Sequence, residues 1–142
     1  MIVAYWLMKS EPGTWSWEDQ VKAGAKGTAW DGVRNHLAKI QMQKMKKGDR
    51  AFFYHSGDEK RVVGILEIVG EQRPDPSDKT GKFVVVDVKA VAPMPAPVTL
   101  TMCKTEKGLA KMVLLNNTRL SVQPVTSAEW AIVCKLGGLK SA

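Results

Sequence analysis

Residues 83–91 place the strongest constraint on the fold. Val84, Val86, Val88 and Ala90 fall on one side of an extended chain, while Asp87 and Lys89 fall on the other. That period-two alternation belongs to a strand with one buried and one wetted face. Residues 50–55 and 61–69 are similarly rich in β-branched and aromatic side chains, with Ser56, Gly57, Asp58, Glu59 and Lys60 as the turn between them. A chain with three central strands must set its helical segments around a sheet. Those segments do not alternate with strands in βαβ fashion, so the expected class is α+β, a small mixed β-barrel flanked by short helices.

The flanking segments carry their own start and stop signals. Tyr5 to Met8 reads as a first strand, closed by Lys9-Ser10-Glu11-Pro12-Gly13. Ser16 is the expected N-cap of a short helix through Gln20 and Val21, with Glu18 and Asp19 near its positive end. Residues 35–47 predict a longer helix. Leu37, Ala38, Ile40, Met42 and Met45 share one arc, Lys39, Gln43, Lys46 and Lys47 lie opposite, and Gly48 provides the stop. Residues 73–82 predict a loop, and Pro93, Pro95 and Pro97 a stiff exit from the third central strand. Residues 109–115 predict a short helix and 119–125 an extended segment broken at Pro124. Thr126 and Glu129 form a capping box opening a last helix that ends at Gly137-Gly138.

Size and charge narrow the function. A chain of 142 residues suits one domain spanning 1–142. Its 21 basic and 14 acidic residues leave a net charge of +7, an excess that favours a polyanionic partner. The start of the sequence has no basic leader or apolar h-region, and no apolar run approaches the length of a membrane helix. Cys103 and Cys134 stand alone, outside any CxxC or disulfide framework. They are expected to be packing residues in a reducing cytosolic or nuclear setting, with a cytoplasmic location as the expectation.

Chemistry concentrates where polar and aromatic residues meet at bends. Trp30, Asp31, Gly32, Val33, Arg34 and Asn35 put an indole, a carboxylate, a glycine bend, a guanidinium and a carboxamide just ahead of the longer helix. Lys9-Ser10-Glu11-Pro12 and Tyr54-His55-Ser56 are the other two such places. If strand ends bring them to one mouth, Trp30 and Tyr54 form a stacking wall for a flat heterocycle. Ser10, Asn35, His55 and Ser56 would read its edge, and Arg34 or Lys9 would meet phosphate. Lys39, Lys46 and Lys47 form a further basic face. Trp6 and Trp130 fit the core, and Trp15 and Trp17 fasten the short helix. With only His36 and His55, no metal-ligand spacing is available, and no GxSxG, P-loop or GxGxxG occurs. An acid–base constellation of Lys9, Glu11 and His55 is the enzymatic alternative.

Four blocks in order resemble the EVE domain. They are residues 5–12 (YWLMKSEP), residues 30–35 (WDGVRN), Gly48-Asp49 followed by Phe53-Tyr54-His55-Ser56, and residues 119–125 (RLSVQPV). Phe83 stands where many members have a tryptophan. The resemblance implies a PUA-like pseudo-barrel related to YTH and ASCH domains, with a pocket for a nucleobase turned out of its strand. It implies a non-catalytic reader of a modified base, methylated or hydroxymethylated cytosine in DNA, or modified RNA. Carried onto this sequence, the pocket residues are Ser10, Trp30, Val33, Arg34, Asn35, Tyr54, His55 and Ser56. The expectation is thus a monomer that binds modified nucleic acid without cofactor or membrane. An ASCH-like ribonuclease or nucleoside amidohydrolase using the same pocket is the alternative.

Overall fold

The computed structural model describes residues 3–139. Six strands form one mixed sheet: β1 (Tyr5–Ser10), β2 (Thr28–Ala29), β3 (Arg50–His55), β4 (Arg61–Pro74), β5 (Val84–Thr99) and β6 (Val122–Val125). Their order is β2-β5-β4-β3-β1-β6. Only β1 and β3 run parallel, with Lys9 opposite Tyr54 and Ser10 opposite His55. The helices are α1 (Trp17–Lys22), α2 (His36–Lys44), α3 (Leu100–Thr105), α4 (Val113–Asn116) and α5 (Ser127–Leu136). Among the described residues no helix is long and apolar enough to cross a membrane. The α+β class and short flanking helices match expectation, but the sheet does not close, since β2 and β6 are its two edges and do not pair with each other.

Strand alternation divides the interior into two cores. Along β3, Phe53 joins Trp6, Met8, Trp30 and Met42 on one face, while Phe52 and Tyr54 join Leu7, Trp130 and Val133 on the other. The second core is anchored by a ring stack. Trp130 of α5 lies between Phe52, 3.9 Å away, and Tyr5, 4.4 Å away, each pair adding about 1 kcal/mol beyond simple burial. Cys103 and Cys134 are buried there, and burial pushes both thiols up to about 11, so neither is a ready nucleophile.

Several elements depart from the sequence reading, each for a local reason. α2 ends at Lys44, short of the expected residue 47, because Met45 turns extended and the Asp49 carboxylate takes the Lys46 N–H at 2.9 Å. Gly48 therefore serves the following turn, at φ 93°. The buried stripe of α2 is Ala38 and Met42, continued by Met45, whereas Leu37 and Ile40 stand 56% and 43% exposed. β5 runs through Pro93, Pro95 and Pro97 instead of stopping near Val91. Those prolines are exposed, β2 reaches only Val88 and Asp87, and along β4 the register jumps from the Gly64–Pro93 pair to the Val62–Val98 pair, so Pro95 and Pro97 have no ladder partner. Pro124 likewise lies inside β6. β4 reaches Pro74, which shortens the expected 73–82 loop. Residues 109–115 split into a 3-10 turn at Lys107–Leu109 and the single turn of α4. α3, capped by Thr99, had no apolar period to announce it. The Thr126 capping box forms as expected, and the expected Ser16 cap proves to be a full box closed by the Asp19 carboxylate.

The strand order depends on Asp49, which is almost fully buried. Its Oδ1 accepts from the Ala4 N–H at 3.1 Å, and its Oδ2 from Trp6 Nε1 at 3.0 Å and from Lys46 N. One carboxylate thus ties the start of β1, the exit of α2 and the entry of β3. Asp49→Ala should cost about 3 kcal/mol by stranding these donors, seen as a lower urea midpoint at unchanged m-value. A loss below about 0.5 kcal/mol would place the restraint elsewhere.

Candidate nucleic-acid pocket

The motif of residues 30–35 is held from both ends. Gly27, at φ 72°, enters β2 so close to the Val88 carbonyl that a Cβ would collide with it. Thr28 and Ala29 pair with β5, and the Trp30 N–H donates to the Val86 carbonyl at 2.8 Å. The chain then turns at Gly32, φ 77°, whose N–H donates to Asp75 Oδ2 at 3.0 Å. Arg34 Nη1 meets the same oxygen at 3.0 Å and Nη2 reaches Ser77 Oγ at 3.1 Å. Asn35 caps α2, its Oδ1 accepting from the Ala38 N–H at 2.9 Å.

This loop walls a cavity of about 380 Å³. Residues 28–34 form one side, Lys9 and Ser10 at the end of β1 another, and Thr14, Trp15 and Ser121 complete it. Trp30 is mostly buried, with its ring edge-on to Phe53 at 5.4 Å. Its indole N–H finds no acceptor among the described residues, yet is not sealed from solvent. The cavity is lined by the aromatic Trp15 and Trp30, the apolar Val33 and Ala29, and the hydroxyl-bearing Ser10, Thr14, Thr28 and Ser121. Ser10 Oγ donates to the Trp15 carbonyl at 2.6 Å, leaving its lone pairs as acceptors.

Of the residues singled out from sequence, Lys9, Ser10, Trp30, Val33 and Arg34 meet at this cavity. Tyr54 does not share it with Trp30. Successive β3 side chains point to opposite faces, so Tyr54 lies across the sheet and lines a second cavity with Ser56. Asn35 is occupied as a cap. His55 lines neither cavity: its Nε2 accepts from the Trp17 N–H at 3.0 Å, and its Nδ1 faces Glu59 Oε1 at 2.8 Å. It thereby holds α1, whose Trp17 ring packs directly on Gly64. Lys39, Lys46 and Lys47 line neither cavity, and Lys39 lies 6.0 Å from the Phe83 ring. The Lys9, Glu11, His55 constellation is not assembled, since Glu11 is exposed and outside the cavity that Lys9 lines. No group of metal-ligating side chains gathers among the described residues.

Two parts of the site were missed in the sequence. Ser121 arrives only through the β1–β6 pairing, where the Lys9 N–H donates to its carbonyl at 2.9 Å. Asp75 is the clamp of the loop, and its Asp-Pro-Ser turn was a readable signal, although its partner Arg34 lies far away in sequence. Burial pushes the Asp75 carboxyl up, but bonds from the Ser77 hydroxyl, Arg34 and the Ser77 and Gly32 amides outweigh it and hold it at about 2. A depressed acid stabilises the fold above its unfolded pKa, and that contribution disappears as pH falls through the folded value. Asp75→Asn should therefore cost about 2 kcal/mol at neutral pH, with the gap to wild type closing between about pH 4 and pH 2. A gap that is independent of pH would show that the carboxylate charge is not what clamps the loop.

Known proteins align with this geometry along nearly the whole chain. The EVE domain family model matches residues 4–136. Thymocyte nuclear protein 1 of Homo sapiens is 36% identical over 165 aligned residues, covering 94% of this chain and 73% of that protein. A solved protein of Rhodopseudomonas palustris is 58% identical, with TM-score 0.92 over 99% of this chain and 97% of that one. Human THYN1, solved in complex with 5-methylcytosine-containing DNA, is 35% identical, with TM-score 0.86 over 97% of this chain and 99% of that one. A YTH domain of Zygosaccharomyces rouxii, at 17% identity and TM-score 0.57 over 98% and 90% of the two chains, shares the fold alone. With the four sequence blocks, the Trp30 loop and these alignments in agreement, the chain belongs to the EVE domain family.

Proposed function

We propose that this protein binds nucleic acid and recognises a modified pyrimidine base flipped into the Trp30 cavity. The observation that carries this reading is the cavity itself, which Trp30, Trp15 and the apolar Val33 line together. Its volume, about 380 Å³, lies near the small end of ligand pockets, roughly 300–1,000 Å³, and suits one base with its sugar at the mouth. Support also comes from the human relative solved with 5-methylcytosine DNA, and from the net charge of +7.

The energetics are consistent with recognition of a base presented out of its stack. Flipping costs a few kcal/mol in a duplex and less from a single strand. Contact with the indole is worth about 1–3 kcal/mol, and a methyl group gains apolar contact at Val33 and Ala29. The Trp30 N–H, Ser10, Thr28 and Ser121 supply donors and acceptors to the base edge. Arg34 contributes mainly by holding the loop, because its guanidinium is engaged with Asp75 and Ser77.

Trp30 belongs to the core, so truncation to alanine would test folding more than binding. Trp30→Phe keeps an aromatic ring and removes the indole donor. Wild type should prefer a 5-methylcytosine single strand over its unmodified twin, and Trp30→Phe should weaken binding to both by about fivefold, equivalent to about 1 kcal/mol. Equal wild-type affinity for both strands would refute the reading.

A further inference from the structure

A second cavity, of about 430 Å³, lies beside the first, and Lys9 lines both. We propose that this second cleft, bounded by Lys9, Lys60 and Lys104, holds the phosphodiester backbone next to the base in the Trp30 cavity. The inference rests on the base-reading proposal and gives the strand a direction: from the Trp30 loop, past Lys9, towards the end of α3.

Charge distinguishes this cleft from the first cavity, whose lining includes Asp31. Arg34, Arg50, Arg61 and Arg73 each pair with a carboxylate. Among the described residues no lysine has such a partner, and this cleft gathers three of them, Lys9, Lys60 and Lys104, with no acidic side chain in its lining. Glu59, on the neighbouring turn, is taken by His55 and Arg61. Three cations thus converge on a concave site with no anion, an arrangement that a phosphate would neutralise.

The fold places these cations deliberately. Lys9 is carried by the parallel β1–β3 pairing to lie 5.6 Å from the Tyr54 ring centre, with its ammonium donating to the Thr118 carbonyl at 2.7 Å. Burial lowers its pKa, a cost that a nearby phosphate would offset. Lys60 ends the β3–β4 turn at φ 49°, a backbone state unusual for a residue with a Cβ, and its carbonyl is fixed by the Leu100 N–H at 2.8 Å. Lys104 lies in the last turn of α3. Tyr54, Ser56 and Thr118 add neutral groups to the walls. Burial, with a smaller contribution from Cys103, pushes the Tyr54 phenol up to about 12, so it remains a proton donor at neutral pH. The Tyr54 ring is almost fully buried, so lysines and hydroxyls dominate the cleft, a lining that fits a sugar–phosphate segment and carries no sequence information.

The test compares wild type with the double variant Lys60→Gln/Lys104→Gln, both changes being at exposed positions. The probes are short single strands carrying one 5-methylcytosine or one cytosine, titrated across a range of salt. Lys22→Gln/Lys135→Gln removes the same charge from α1 and α5, outside both cavities. Each phosphate neutralised contributes about 0.7 to the slope of log affinity against log salt on single strands. The Lys60/Lys104 variant should lose about 0.7–1.4 of that slope, weaken both strands by the same factor and keep the wild-type preference between them. The Lys22/Lys135 variant should keep the wild-type slope. An unchanged slope in Lys60→Gln/Lys104→Gln overturns the proposal, even if the modified-base preference survives. A reduced slope in a protein with no wild-type preference supports the phosphate cleft and overturns the base reading alone.

Discussion

The Asp49 carboxylate takes donors from Ala4, Trp6 and Lys46, and so brings the first strand beside the third while ending α2 on the spot. β1 and β3 must then run parallel, because the N–H groups that Asp49 receives belong to the beginning of one strand while Asp49 itself precedes the other. The consequence reaches the far end of both strands. Lys9 and Ser10 emerge beside Tyr54 and His55, with the Ser56 N–H bonded to the Ser10 carbonyl at 3.0 Å. Both cavities are built around that strand end.

A second constraint separates the roles of the side chains gathered there. The pleat sends Phe53 and Tyr54 to opposite faces, so Trp30 joins one core and Tyr54 the other. A stacking wall made from both residues is incompatible with that alternation. The result is a division of labour: an aromatic recess on one side of Lys9 and a cationic cleft on the other. His55 belongs to neither, and its two ring nitrogens instead hold α1 and the β3–β4 turn in place.

Much of this architecture was legible from residue order. Alternation in 83–91, the cap at Ser16, the box at Thr126 and the core placement of Trp6 and Trp130 depend on local rules, and local rules survive into the fold. The end of α2 and the passage of β5 through Pro93, Pro95 and Pro97 were not legible. α2 is ended by the nearby Asp49 carboxylate, which is itself held by Ala4 and Trp6 from far along the chain, and β5 is carried on by the distant Gly137 carbonyl, which receives the Ala96 N–H. The site divides in the same way. Residues 30–34 were readable as a dense motif in a loop, whereas Ser121 and the Asp75 clamp come through pairings that span much of the chain. Trp15 was read only as a fastener of α1. It does hold α1 through Gln20, at 2.9 Å, and it also lines the cavity.

The central claim is that the Trp30 recess receives the base. Proton–nitrogen correlation spectra tell the five tryptophan indoles apart, and the Trp6 and Trp15 N–H groups are already bonded to Asp49 and Gln20. On titration with a single strand carrying one 5-methylcytosine, the Trp30 indole and Gly32 amide signals should move most, and less with the unmodified strand. Movement confined to amides around Lys46 and Lys47, identical for both strands and abolished by salt, would contradict the claim and leave only a basic surface engaged.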